Sequence, residues 1–123
     1  FLEHDLEITV SSIDKLRLVE AAADAKGQRA RAHLKIDTGM NRIGVHHARC
    51  GAFLEAALTS SGCEPVGLYS HLACADDPGH PLTALQLERF MAACVQAELI
   101  CARAGVPMPI RHLANSGGVL HHP

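Results

Sequence analysis

The chain has 123 residues, enough for one domain and too few for two. Charged residues make up 20%, which argues against disorder, and a formal net charge of −2 offers no basic surface for nucleic acid. With no Trp, one Tyr and three Phe there is no stacking platform for bases, and no apolar run reaches the ~20 residues of a membrane span. Neither nucleic acid nor a membrane is therefore expected as a partner.

Leu6 to Ser11 is β-branched and apolar, a buried strand. Ser12 caps a helix whose apolar set is Ile13, Leu16, Leu18 and Val19; it runs to about Lys26, where Gly27 stops it. Arg31 to Asp37 is a second strand, with Leu34 and Ile36 on one face and His33, Lys35 and Asp37 on the other. Thr38 to Asn41 is a turn, and a helix follows from His47 to Ser60. Pro65 to Leu72 is a third strand, and Asp76-Asp77-Pro78-Gly79 a loop. The longest helix runs from Leu82 to Ala104, with Leu85, Phe90, Met91, Cys94 and Leu99 as its apolar set. Gly105 and Pro107 end it, Pro109 to Ala114 is a fourth strand, and Ser116-Gly117-Gly118 opens a last short helix.

Units of this kind, at roughly 30 residues each, are βαβ repeats and predict an α/β fold with a parallel sheet. Four of them make either a small doubly wound sheet or half of an eight-stranded barrel. Periodicity does not separate the two. The five Cys, at 50, 63, 74, 94 and 101, contain no CxxC pair, which argues against a zinc ribbon. They read as buried free thiols in a reducing compartment, hence a cytoplasmic protein. The opening Phe1-Leu2-Glu3-His4-Asp5 lacks the basic-then-apolar pattern of a signal peptide. A start without Met and an end at His121-His122-Pro123 read as a piece cut from a longer protein.

In either architecture, function collects at the carboxyl ends of the strands. Three polar clusters fall there: Lys35 to Gly44, Ser70 to Ala73 with Asp76 soon after, and His112 to Gly118. Each also has a structural reading. Lys35 could pair with Asp37, Asp37-Thr38-Gly39 could be an ordinary turn, and His71 could be a hydrogen-bonded core histidine. Asn115 and Ser116 could merely cap a helix. Small residues and free N–H groups at Ser116-Gly117-Gly118 suit a phosphate, to which the Ser116 hydroxyl can donate.

The stretch His33-Leu34-Lys35-Ile36-Asp37-Thr38-Gly39-Met40-Asn41-Arg42-Ile43-Gly44 resembles the alanine racemase signature for the fifth barrel strand and its loop. Ser70-His71-Leu72-Ala73 is similar to that family's Thr-His-Phe-Ala segment on the sixth strand, and His112-Leu113-Ala114-Asn115-Ser116 to the seventh. The resemblance covers essentially the whole chain. It implies four consecutive β/α units, about strands 4 to 7, of a (β/α)8 TIM-type barrel. Residues 1–123 would then form part of an N-terminal barrel domain that binds pyridoxal 5′-phosphate, without the C-terminal β-domain.

The resemblance also implies roles. His71 matches the imidazole stacked on the cofactor ring, Ser116 a phosphate ligand, and Asn115 a residue supporting it. Arg42 matches the arginine near the cofactor phenolic oxygen and the substrate carboxylate, a bidentate task suited to a planar guanidinium. His112 matches a histidine that orients a further arginine on the pyridine nitrogen. Lys35 matches a lysine that is often carbamylated, and Asp76 an acidic residue of the substrate entryway. Leu72 replaces the usual Phe and Gly117-Gly118 the usual Ala pair, departures that remove no functional group.

The family's Schiff-base lysine motif, Val-Lys-Ala-Asn-Ala-Tyr-Gly, does not occur in this sequence. Its opposing tyrosine belongs to the C-terminal domain and acts across a homodimer, and Tyr69 does not match it. The implied activity of the whole protein is interconversion of L- and D-alanine for cell-wall peptidoglycan. A serine racemase of the same fold, a non-catalytic cofactor-binding barrel, and a self-standing α/β binding domain are the alternatives.

Overall fold

A computed structural model describes residues 1–122. The elements are β1 (Ile8–Val10), α1 (Ile13–Ala25), β2 (Ala30–Asp37), β3 (Val45–His46), α2 (Gly51–Leu58), β4 (Cys63–Tyr69), α3 (Pro81–Ala104), β5 (Ile110–His112) and α4 (Ser116–His121). Short 3-10 turns at Leu2–His4 and His47–Arg49 complete the order. The main strands lie side by side as β1-β2-β4-β5, and every pairing is parallel. The expected β/α alternation and parallel sheet are present.

Local chemistry sets the helix ends. The Ser12 side chain accepts from Lys15 N at 3.1 Å, satisfying one of the N–H groups that a helix start leaves free. Gly105 ends α3 in the left-handed conformation, and its N–H bonds back to Cys101 O. At the other end Pro81 occupies the first turn of α3, and the His80 ring accepts from Leu82 N.

The apolar faces differ from the expected sets. Leu16 and Val19 of α1 are buried, whereas Leu18 is exposed. On α3 the buried stripe is Thr83, Gln86, Phe90, Ala93, Ala97 and Ile100, while Leu85, Met91 and Leu99 face outward. The stripe keeps the 3–4 spacing of a helix face; Phe90 and Cys94 of the expected set lie on it, joined by Thr83, Gln86, small Ala residues and Ile100. One core, including Val10, Leu16, Leu34, Ile36, Phe53, Leu54, Leu68, Phe90 and Cys94, fills the space between sheet and helices.

Strand β4 begins at Cys63, two residues before the expected start at Pro65, and ends at Tyr69 instead of Leu72. Proline has no N–H for the ladder, and the register shifts just after its partner: Ala32 opposes Pro65, but His33 opposes Gly67. The bulge lets the strand continue through the proline. Beyond Tyr69 the chain leaves the sheet, and the Ser70 hydroxyl meets the Thr38 hydroxyl at 2.7 Å in a buried bond.

Two-residue β3, absent from the sequence reading, pairs with the end of β2. It forms because the loop after β2 folds back on its own strand. Gly44 makes this return at φ +123°, where a Cβ would meet Asp37 N at 2.8 Å. Four of the cysteines are buried; Cys74 is partly exposed. Burial pushes the Cys63 thiol up to about 11. No helix among the described residues is long and apolar enough to cross a membrane.

Candidate active site at the carboxyl edge of the sheet

Because β2, β4 and β5 run parallel, the loops that follow them leave from the same edge. These are the loops that carry the three polar clusters. Lys35, Tyr69 and His112 stand level across the three strands. Lys35 is 5% exposed, and its Nζ lies 4.4 Å from the centre of the Tyr69 ring. Together with Asp37, Met40, Arg42, Ser70 and His71 it lines one small recess.

Lys35 forms no ion pair with Asp37 among the described residues. Asp37 Oδ1 instead accepts from Gly39 N at 2.9 Å and Asn41 N at 3.1 Å, shaping the loop that presents Arg42. The structural alternative for Lys35, a plain Lys35–Asp37 pair, is thus replaced. Burial, and then the nearby Arg42 guanidinium, pull the Lys35 amine below its usual range, against a smaller opposing effect of Asp37.

His71 follows β4 and is half-buried; burial, Lys35 and Arg42 all lower its pKa. The fold thus favours the neutral form of this imidazole. His112 is the last residue of β5, which is shorter than the expected Pro109 to Ala114, and it stacks on the Tyr69 ring at 4.7 Å with planes 8° apart. Desolvation, with lesser effects of His33 and Lys35, lowers its pKa as well.

Asn115 caps α4: its Oδ1 accepts from Gly118 N at 2.9 Å, and its Nδ2 donates to Leu72 O at 3.0 Å. The cap reading therefore holds for Asn115 but not for Ser116, and the Asn115 side chain ties the β5 loop to the β4 loop. Ser116 is exposed at the first position of α4. The two loops touch again at Gly117, where a Cβ would fall 2.9 Å from the Ala75 carbonyl carbon and Asp76 N. This contact sets exposed Asp76 beside the start of α4.

These loops form one edge, and a family model described as "Alanine racemase, N-terminal domain" matches residues 1–123. The chain belongs to the alanine racemase family. An alanine racemase of Symbiobacterium thermophilum is 50% identical over 97 residues, covering 79% of this chain and 25% of that protein. One of Beutenbergia cavernae is 42% identical, covering 98% of this chain and 32% of its own length. The crystal structure of an alanine racemase from D-cycloserine-producing Streptomyces lavendulae superposes with a TM-score of 0.88 at 40% identity, covering 98% of this chain and 31% of that one. The chain thus spans a third or less of the length of these racemases.

Sequence reasoning missed the group that locks the racemase-family loops together. Gln86 of α3 is fully buried. Its Nε2 donates to Thr38 Oγ1 at 3.1 Å and to His71 O at 2.9 Å, and its Oε1 accepts from Ala73 N at 2.8 Å. Arg89, one turn on, donates to Thr38 O at 2.9 Å. One helix face therefore holds both the Arg42 loop and the His71 loop. The available signal was a Gln and a Thr at 3–4 spacing with Phe90, polar residues in an otherwise apolar stripe. The larger groove, about 410 Å³ between the start of α3 and α4, is mostly apolar and is lined by none of Lys35, Arg42 or His71.

Proposed function

We propose that these residues form part of a racemase that interconverts L- and D-alanine with pyridoxal 5′-phosphate, supplying D-alanine for peptidoglycan. The observation that carries the reading is the convergence of Lys35, Arg42 and His71 in one recess, on the sheet edge from which Ser116 also leaves. Residues 1–123 are read as strands 4 to 7 of the barrel, and the whole protein as a cytoplasmic homodimer.

The residues present suit the cofactor. The Ser116 and Gly117 N–H groups at the start of α4 lack helical acceptors, and Ser116 offers a hydroxyl. Ser116 would hold the phosphate, with Asn115 fixing the loop beneath it. His71, kept neutral, would present its ring face to the pyridine. Pyridoxal phosphate, when bound, supplies an electron sink for the charge left by loss of the substrate α-proton. Arg42 would meet an anionic oxygen of cofactor or substrate, and its fixed loop would keep it in place during turnover. His112 would orient an arginine from another segment. Asp76 would stand at the substrate entryway.

Lys35 is read as the site of a carbamate. A buried amine beside Arg42 is biased toward the neutral form, which attacks carbon dioxide. An N–C bond forms, one proton leaves, and the resulting anion would hold the Arg42 guanidinium. The proton carriers for the two substrate faces would come from outside these residues.

The test is conversion of L- to D-alanine by the full-length protein loaded with pyridoxal phosphate, followed by chiral chromatography. Arg42→Ala should lower kcat/KM by about 10²–10³-fold, the scale for removing a positioned donor to developing charge. Ser116→Ala should weaken cofactor binding by about tenfold, the equivalent of one hydrogen bond. Failure to bind the cofactor would overturn the reading, and turnover of serine alone would replace its substrate.

A further inference from the structure

His33 stands on the polar face of β2, and the proposed function gives it no task. Its Nε2 lies 2.6 Å from Glu7 Oε2, and its Nδ1 lies 2.9 Å from His112 Nε2. We propose that Glu7 and His33 are positioning residues that hold His112 with its proton on Nε2, leaving Nδ1 a bare acceptor for a guanidinium. The assignment rests on the role given to His112 above; the relay itself is carried by the geometry.

Glu7 also pairs with the Arg31 guanidinium through Oε1, so its carboxylate is ionised and can only accept. Its pKa is lowered, first by the bond to His33. His33 Nε2 must therefore donate. A neutral imidazole with its proton on Nε2 has a lone pair on Nδ1. With a single proton on His33, that lone pair faces His112 Nε2, which then supplies the proton of the contact. His112 in turn is left with Nδ1 unprotonated. A second proton on His33 would reverse the bond and the tautomer. The charged and titratable groups around the pair are Glu7 ahead of β1, Arg31 and Lys35 on β2, and Tyr69 on β4.

The neighbouring residues are shaped around this chain of bonds. A Cβ on Gly67 would lie 2.0 Å from His33 Nδ1, so the β4 backbone is bare where the ring crosses it. Tyr69 fixes the plane of His112 by stacking, and its own hydroxyl meets Thr9 Oγ1 at 2.9 Å. Strands β1, β2, β4 and β5, with the residue preceding β1, all contribute to placing one imidazole.

The test is long-range proton–nitrogen NMR of full-length protein labelled with ¹⁵N-histidine, with His112 assigned by the resonance lost in His112→Gln. The expected wild-type pattern is a protonated Nε2 and a bare Nδ1. Glu7→Ala and His33→Phe should shift His112 to mixed tautomers. His33→Gln should restore the wild-type pattern, because one amide can donate to Glu7 and accept from His112. A bare Nε2 in the wild type would overturn the proposal, as would a His112 pattern unchanged in both disrupting variants. This readout needs no cofactor. A protein with the expected tautomer that binds no pyridoxal phosphate would keep the relay and lose the racemase reading.

Discussion

The two faces of β2 show two kinds of order in one strand. Toward the helices, Ala32, Leu34 and Ile36 are fully buried in the common core. On the opposite face, His33 bonds to Glu7 and His112, Lys35 sits over the Tyr69 ring, and Asp37 caps the Arg42 loop. Apolar burial is non-directional and scales with area removed from water. Each polar group on the other face instead has a specific partner at a specific distance. Substitutions on the first face should change stability; those on the second should change geometry and protonation more than stability.

Leu34→Ala should produce the largest effect, a loss of about 2–5 kcal/mol in chemical denaturation, because it opens a cavity at a fully buried site. A loss below about 1 kcal/mol would erase the contrast between faces. Gln86→Leu comes next. It leaves the Ala73 N–H without its acceptor and removes donors from Thr38 and the His71 carbonyl. The expected cost is about 1–3 kcal/mol, together with a displaced His71 resonance. A resonance that stays in place would show that Gln86 does not position the loop.

Lys35→Met should lie within about 1 kcal/mol of wild type, because it removes a charge that burial disfavours. The racemase activity proposed for the full-length protein should nevertheless fall. Lys35→Ala should be partly rescued by small carboxylates if the missing feature is a negative charge. Electron density ending at the Lys35 ammonium, with Arg42 ordered and no counter-anion, would refute the carbamate.

A smaller effect concerns pH. His47, His71 and His112 have folded pKa values lowered from 6.5, each first by desolvation. The fold therefore favours their neutral forms. Their contribution to stability is full above the unfolded pKa and is lost as pH falls through the folded values. The urea midpoint should drop from pH 8 to pH 5, and His71→Gln should flatten the slope. The exposed Lys26–Glu3 pair should matter least, about 0–0.5 kcal/mol in a double-mutant cycle.

Several features were legible because their causes are local. The Ser12 cap, the Gly105 stop and the β/α alternation each depend on residues a few positions apart. The grouping of the Lys35, His71 and Ser116 loops on one edge also followed, since parallel strands send their following loops the same way. Other features were misread for identifiable reasons. Pro65 sat inside a strand because a bulge absorbed its missing N–H. Leu85, Met91 and Leu99 faced outward because the packed face of α3 runs through Thr83, Gln86, Phe90, Ala93, Ala97 and Ile100, a stripe that counting bulky residues does not find. Asp37 turned from Lys35 to the N–H groups of its own loop, where two hydrogen bonds were available at once.

The order of elements, the family motifs and the identity of each polar group are properties of the sequence alone. Partner choice was decided by tertiary structure. Glu7, His33 and His112 are separated along the chain by 26 and then 79 residues, and Gln86 lies 48 residues from Thr38. No periodicity spans such distances. Only the parallel register and the bulge in β4 set His33 opposite a glycine, and only the docking of α3 brings a buried amide to two loops at once. Hydrogen-bond partners are selected within a few ångströms in space, and the folded topology determines which residues come that close.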